Sequence, residues 1–202
     1  VENLLDGFSG WLMSDGWMAY RGYPRRLRCW AHLIRKARGL AERYHWEVRA
    51  FGRQVLDTLT TLLAAGYAAR AGPPTDLPTA SAPQRADLRA AGERHQGHAH
   101  AKTQAVAVEL LNDWDAICQG LHHPELPLTN NAAERALRHW VIARKISHGT
   151  RTATGSRVFA LLASVIDTCR QRGHSPWSYL RTAIVDRRAG RPLAPLPAGG
   201  GE

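Results

Sequence analysis

Residues 11–40 read WLMSDGWMAYRGYPRRLRCWAHLIRKARGL, and this stretch decides the fold class. Trp11-Leu12-Met13-Ser14 is a short apolar run that ends at Asp15-Gly16, a turn signal. Leu27-Arg28-Cys29-Trp30 is a second short run, and it leads into a helical stretch over about 31–40. Strand, acid-bearing turn, short helix, strand, helix is the grammar of an α/β sheet edge. Upstream, Val1 to Leu5 reads as the end of a helix stopped by Asp6-Gly7.

Downstream the periodicity is helical. Val48, Phe51, Val55, Leu59, Leu62 and Leu63 recur at steps of three and four, which predicts a helix from Glu42 to about Ala69. A Pro/Ala/Thr/Ser stretch, 71–83, reads as a loop. A long helix is expected from about Gln84 to Gln119, with Val106, Leu110, Trp114 and Ile117 on its apolar face. Residues 120–129 connect it to a helix that starts at Asn131, where Asn131-Ala132-Ala133-Glu134 fits a capping box. Residues 147–156 read as a loop, and 158–172 as a periodic helix closed by Gly173. Ser175-Pro176 opens a last helix with proline at its first position. From Asp186 the chain loses periodicity and is expected to be a disordered tail. The fold class is therefore α/β but mostly helical.

The chain has 202 residues, which suits one domain or one domain with a large insertion. Hydrophobic residues make up 44%, which excludes disorder from end to end. Lys and Arg number 27 against 17 Asp and Glu, a net charge of +10. Only Lys36, Lys102 and Lys145 are lysines; the rest are arginines, the side chain that forks onto phosphate. A polyanionic partner, most simply nucleic acid, follows. The alternative is an Arg-biased genome that fills solvated positions with arginine. Cys29, Cys118 and Cys169 are scattered and odd in number, which suggests no disulfide framework and fits a reducing cytoplasm. No apolar run approaches the ~18 residues of a membrane span, and no signal peptide opens the chain. It begins at Val1 rather than Met, so a portion of a longer protein is expected.

Asp15 follows a predicted strand, and ligand sites in open α/β sheets gather at the carboxyl ends of strands. It is thus a metal-ligand candidate, or else an ordinary turn residue. Glu134 is either a capping-box residue, pairing with Arg138 one turn on, or a metal-binding carboxylate on a helix's first turn. Arg135, Arg138, Arg144 and Lys145 crowd that helix, which suits a phosphate backbone near a metal or simply a solvated face. His95, His98 and His100 fall in the middle of a predicted helix and read as a polar face rather than ligands. Cys29 and His32 make half a zinc site at best, with Trp30 between them pointing to packing. His122-His123 precedes a proline and reads as loop.

Three segments together resemble a known family: SDGWMAY (14–20), RCWAHLIRK (28–36) and TNNAAERALRHWVIARKISHGTRTATGSRVFALLASVIDTCRQRGHSPWSYL (129–180). In this order they are similar to the C-terminal half of insertion sequence 66 family transposases. Asn112, Trp114 and Asp115 also resemble the approach to the third motif. The resemblance implies a DDE transposase with a ribonuclease H-like core, in which three carboxylates hold two Mg²⁺ ions for phosphoryl transfer on transposon-end DNA. Asp15 matches the second acid and Glu134 the third. The first acid would lie on a strand upstream of Val1, with the first three core strands and the N-terminal DNA-binding region. The chain alone is then expected not to cleave or join DNA.

The implied organisation is a partial ribonuclease H-like core at 1–42, a helical insertion at 43–119, C-terminal core helices at 120–185 and a disordered tail at 186–202. Arg135, Arg138, Arg144, Lys145 and Arg151 would contact phosphates of transposon-end and target DNA, with Trp140 in the core. Self-association or other transposase subunits, a cytoplasmic, nucleoid-associated location and no membrane contact complete the expectation. Two other readings stand beside it. One is a non-catalytic basic DNA-binding module or transposase remnant; the other is a helical protein-interaction domain whose charge is only compositional.

Overall fold

The computed structural model describes residues 5–73 and 75–198. The expected helix end at 1–5 lies almost wholly outside them. Strands β1 (Leu12–Ser14) and β2 (Arg26–Arg28) pair in parallel, with Leu12 opposite Arg26 and Ser14 opposite Arg28. The crossover that a parallel pair needs is the segment between them, with a 3-10 turn at Met18–Tyr20. Asp15 Oδ1 accepts the Trp17 N–H at 3.1 Å, so the acid shapes its own turn. Gly16 is required there: its φ is +95°, and a Cβ would lie 2.6 Å from the Arg28 guanidinium.

Helix α1 (Trp30–Ala41) buries Trp30, Leu33, Ala37 and Leu40, a stripe at helical spacing. Helix α2 (Trp46–Ala71) lays Val48, Phe51, Val55, Leu59 and Leu62 against it. The two approach closely at Gly52, where a Cβ would lie 2.4 Å from the Ala41 nitrogen. Trp30 joins this core to the rest through its indole N–H, which donates to the Ile117 carbonyl at 3.2 Å.

The remaining helices correct the expected boundaries. A short helix, α3 (Leu77–Ala80), interrupts the segment read as loop, with Asp76 accepting the Thr79 N–H. The single helix expected over 84–119 is three: α4 (Ala82–His95), α5 (Ala101–Asn112) and α6 (Trp114–His122). The first break falls at Gln96–His100, where Gly97 weakens the helix and His100 caps α5 by accepting the Thr103 N–H. The second falls at Asp113, wholly buried against arginines of the strand segment. His95 and His100 therefore flank a break and His98 lies within it, so none of the three sits mid-helix. His95 stacks on Phe51, and His98 lies 3.6 Å from Glu47.

The chain divides into two compact units between Glu134 and Arg135, a point inside helix α7 (Asn131–Ile146). In the second unit, α8 (Ala153–Gln171) starts at a Thr152 cap and ends before Gly173, whose φ is +72°. Helix α9 (Pro176–Arg188) has Ser175 as its cap and proline at the expected position. It runs on to Arg188, so 186–188 are helical rather than tail. Beyond it, Arg191 pairs with Asp186 at 2.6 Å and Ala194 accepts the Tyr179 hydroxyl at 3.0 Å. Among the described residues of this unit Cys169 alone is fully buried. The architecture is mostly helical with a two-stranded parallel edge.

A candidate metal site at the carboxyl edge of the strand pair

Both strands end on the same edge. Asp15 is exposed and directly follows β1. Cys29 directly follows β2, is fully buried, and its N–H donates to the Ser14 carbonyl at 2.8 Å. That bond fixes the start of α1 one residue from Asp15. The approach to α7 is docked on the same place. The Trp30 N–H donates to the Leu128 carbonyl at 3.0 Å, and the Cys29 thiol donates to Asn130 Oδ1 at 2.9 Å.

His32, on the first turn of α1, spans what is left. Its Nδ1 faces Cys29 Sγ at 3.3 Å and its Nε2 faces Glu134 Oε1 at 3.2 Å. Glu134 is on the first turn of α7, but it does not act as the reciprocal cap that its spacing suggests. Its carboxylate goes across to His32, and Arg138 is in no ion pair among the described residues. Cys29 and His32 do not form half a zinc site either. The two imidazole nitrogens point to different groups, so His32 bridges rather than converges. Among the described residues no group of three His, Cys, Asp or Glu side chains is arranged to hold a metal ion.

The oxygens on this edge suit a hard cation in kind. Asp15 commits Oδ1 to the Trp17 N–H, and Glu134 commits Oε1 to His32. Each second oxygen takes no protein hydrogen bond among the described residues. Mg²⁺ is usually held by one or two carboxylates, waters and substrate phosphates rather than by a closed protein cage. Asp15 also lines a cavity of about 550 Å³ with Arg21, Lys36, Glu109 and Asn112.

Beneath it lies a charge cluster that sequence reading did not find. Arg28 is wholly buried, paired with Glu109 and, at 3.2 Å, with Asp113. Arg26 donates to Asp113 at 2.9 Å and Lys36 to Glu109 at 2.6 Å. Buried charges survive only when paired. This set therefore ties β2 to α5 and to the α5–α6 break. The partners are more than seventy positions apart, so no local pattern announces them.

Arg135, Arg138, Arg144, Lys145 and Arg151 are all exposed and belong to the second unit. Arg144 lines a cavity there with Leu137, Trp140, Val141 and Phe159. Trp140 is half-buried, its indole N–H donating to Asp167 at 2.5 Å and its ring meeting Phe159 edge-on.

A family model described as Transposase IS66 family matches residues 1–158. The chain belongs to the IS66 transposase family. Two similar proteins come from Sinorhizobium fredii. Uncharacterized protein y4jO is 38% identical over 85 residues, covering 42% of this chain and 26% of that one. Uncharacterized protein y4qI is 25% identical over 224 residues, covering 98% of this chain and 40% of that one. The IS66-family chain thus spans less than half the length of the curated relatives it matches. No solved structure matches it. No helix among the described residues is long and apolar enough to cross a membrane.

Proposed function

We propose that residues 1–202 carry two of the three acids of a two-metal DNA transposase, Asp15 and Glu134, and act in phosphoryl transfer on transposon-end DNA. What supports this most is one juxtaposition. The turn after β1 and the first turn of α7 are tied to one sheet edge through Ser14, Cys29, His32 and Asn130. On this reading the strand pair is the edge of a ribonuclease H-like sheet. Its other strands and first acid come from sequence beyond these residues.

Asp15 and Glu134 would hold Mg²⁺, each through the oxygen left free. The ions supply charge stabilisation at the attacking and leaving oxygens of a phosphodiester. The protein's part is positioning. Asp15 is fixed by its bond to Trp17, and Glu134 by His32. Arg135, Arg138, Arg144, Lys145 and Arg151 serve as phosphate contacts, since exposed guanidiniums pair with phosphate oxygens two at a time. Self-association belongs to the proposal too, supported by exposed Leu137, Val141, Ile142 and Ile146 on α7.

The test is strand cleavage of a transposon-end duplex with Mg²⁺ or Mn²⁺, using this chain beside one extended upstream. Cleavage is expected in the extended chain only. Asp15→Asn or Glu134→Gln should lower it at least ~100-fold, the cost of even a ~1 Å misplacement of a catalytic group. Unchanged cleavage in both variants overturns the assignment. DNA binding without cleavage in either chain favours the second reading, a non-catalytic basic module.

A further inference from the structure

Helices α1 and α5 carry matched faces. On one wall stand Lys36, Gly39 and Leu40, with Arg43 just past the helix end and Arg35 alongside. On the other stand Lys102, Ala105, Val106 and Glu109. Each set is spaced i, i+3, i+4, i+7, so each is one face of a helix. Between them lies a cavity of about 370 Å³ with an apolar floor and a charged rim.

The rim is cationic in net. Glu109 is the single carboxylate in the lining, and Arg28 and Lys36 already neutralise it. Arg35, Arg43 and Lys102 are exposed and in no ion pair among the described residues. Three cations facing one groove from two elements repel one another, an arrangement that an anion relieves.

The groove does not stop at Glu109. The cavity that contains Asp15 shares Lys36, Ala105 and Glu109 with it, and continues along α5 through Val108 to Asn112. From Lys102 to Glu109, within α5, is roughly 10 Å at 1.5 Å per residue. That is about three steps of a strand rising 3.4 Å per nucleotide.

We infer that the α1–α5 groove is a DNA-backbone track that leads phosphates from Arg43 and Lys102, past Lys36, to the Asp15 edge. It runs between α1, read from sequence as part of the core, and α5, read as part of the insertion. The inference rests on the DNA reading above and adds a place, a direction and three named contacts.

The experiment is fluorescence anisotropy of the 202-residue chain with a labelled 30-base-pair duplex over a salt series. Each phosphate neutralised contributes about 0.9 to the slope of log affinity against log salt. The triple variant Arg35→Gln, Arg43→Gln, Lys102→Gln should flatten the slope by about 2 to 3. A control triple on α2, Arg49→Gln, Arg53→Gln, Arg70→Gln, should leave the slope unchanged. A second measurement is independent of affinity: a photoactivatable label on Lys102→Cys should crosslink DNA, and the same label on Arg53→Cys should not. A salt-steep parent whose groove triple keeps its slope, or whose two triples lose equally, overturns the groove alone. A parent whose affinity ignores salt overturns the groove and the DNA reading together.

Discussion

At the scale of single residues, His32 is the side chain with most to reveal. Its Nε2 faces Glu134, and its other nitrogen is held by Cys29. In the proposed site it is a positioning residue that orients the third acid. Groups that orient metal ligands typically matter 10–100-fold in metal affinity. His32→Ala should therefore weaken Mn²⁺ binding by about tenfold or more in a titration with the duplex present, while His32→Gln, which keeps a donor, should recover part of it. Equal Mn²⁺ affinity in the parent and His32→Ala would remove the role. The places of Asp15, just after a strand, and of Glu134, on the first turn of a helix, were legible in the sequence. The partner of Glu134 was not. The Asn131–Glu134 spacing satisfies a capping box, and only the fold brings a histidine from about a hundred positions away to compete for the carboxylate.

Among the elements, the break between α5 and α6 has a clear physical cause. Asp113 is wholly buried and takes Arg26 at 2.9 Å and Arg28 at 3.2 Å, with Arg21 at 3.5 Å. Removing one partner of a buried pair leaves the other charge uncompensated, at about 3–5 kcal/mol. Asp113→Ala should lose about that much stability in urea unfolding, and a loss below ~1 kcal/mol would mean water reaches Arg28. This is also where sequence reading failed. Val106, Leu110, Trp114 and Ile117 keep a helical period straight across the break, so periodicity alone predicts one long helix. The strand–turn–helix grammar of 11–40 was legible for the opposite reason. Asp15-Gly16 is a local steric signal, and Gly16 does adopt a positive φ. The start of α9 was legible likewise, since Ser175-Pro176 encodes a cap and a first turn in adjacent residues.

For the whole molecule, the two units differ in kind. The first has a core built on α1, α2, α4, α5 and α6, with the strand pair at its edge. The second buries little and exposes Val158, Leu161, Leu162, Trp177 and Ile184. Periodicity announced the helical content and composition the basic charge, but neither announced this contrast, because an amphipathic helix reads alike whether or not its apolar face is covered. The family match spans the first unit and the start of the second. The central claim is that Asp15 and Glu134 serve one two-metal site. Its most direct measurement is polypeptide cleavage by Fe²⁺ in place of Mg²⁺, with ascorbate, peroxide and duplex DNA present. Hydroxyl radical formed at the bound ion should cut the chain beside Asp15 and beside Glu134 in the same reaction, and Asp15→Asn should abolish both cuts. Cuts beside only one of the two, or a Glu134 cut that survives Asp15→Asn, would contradict the shared site.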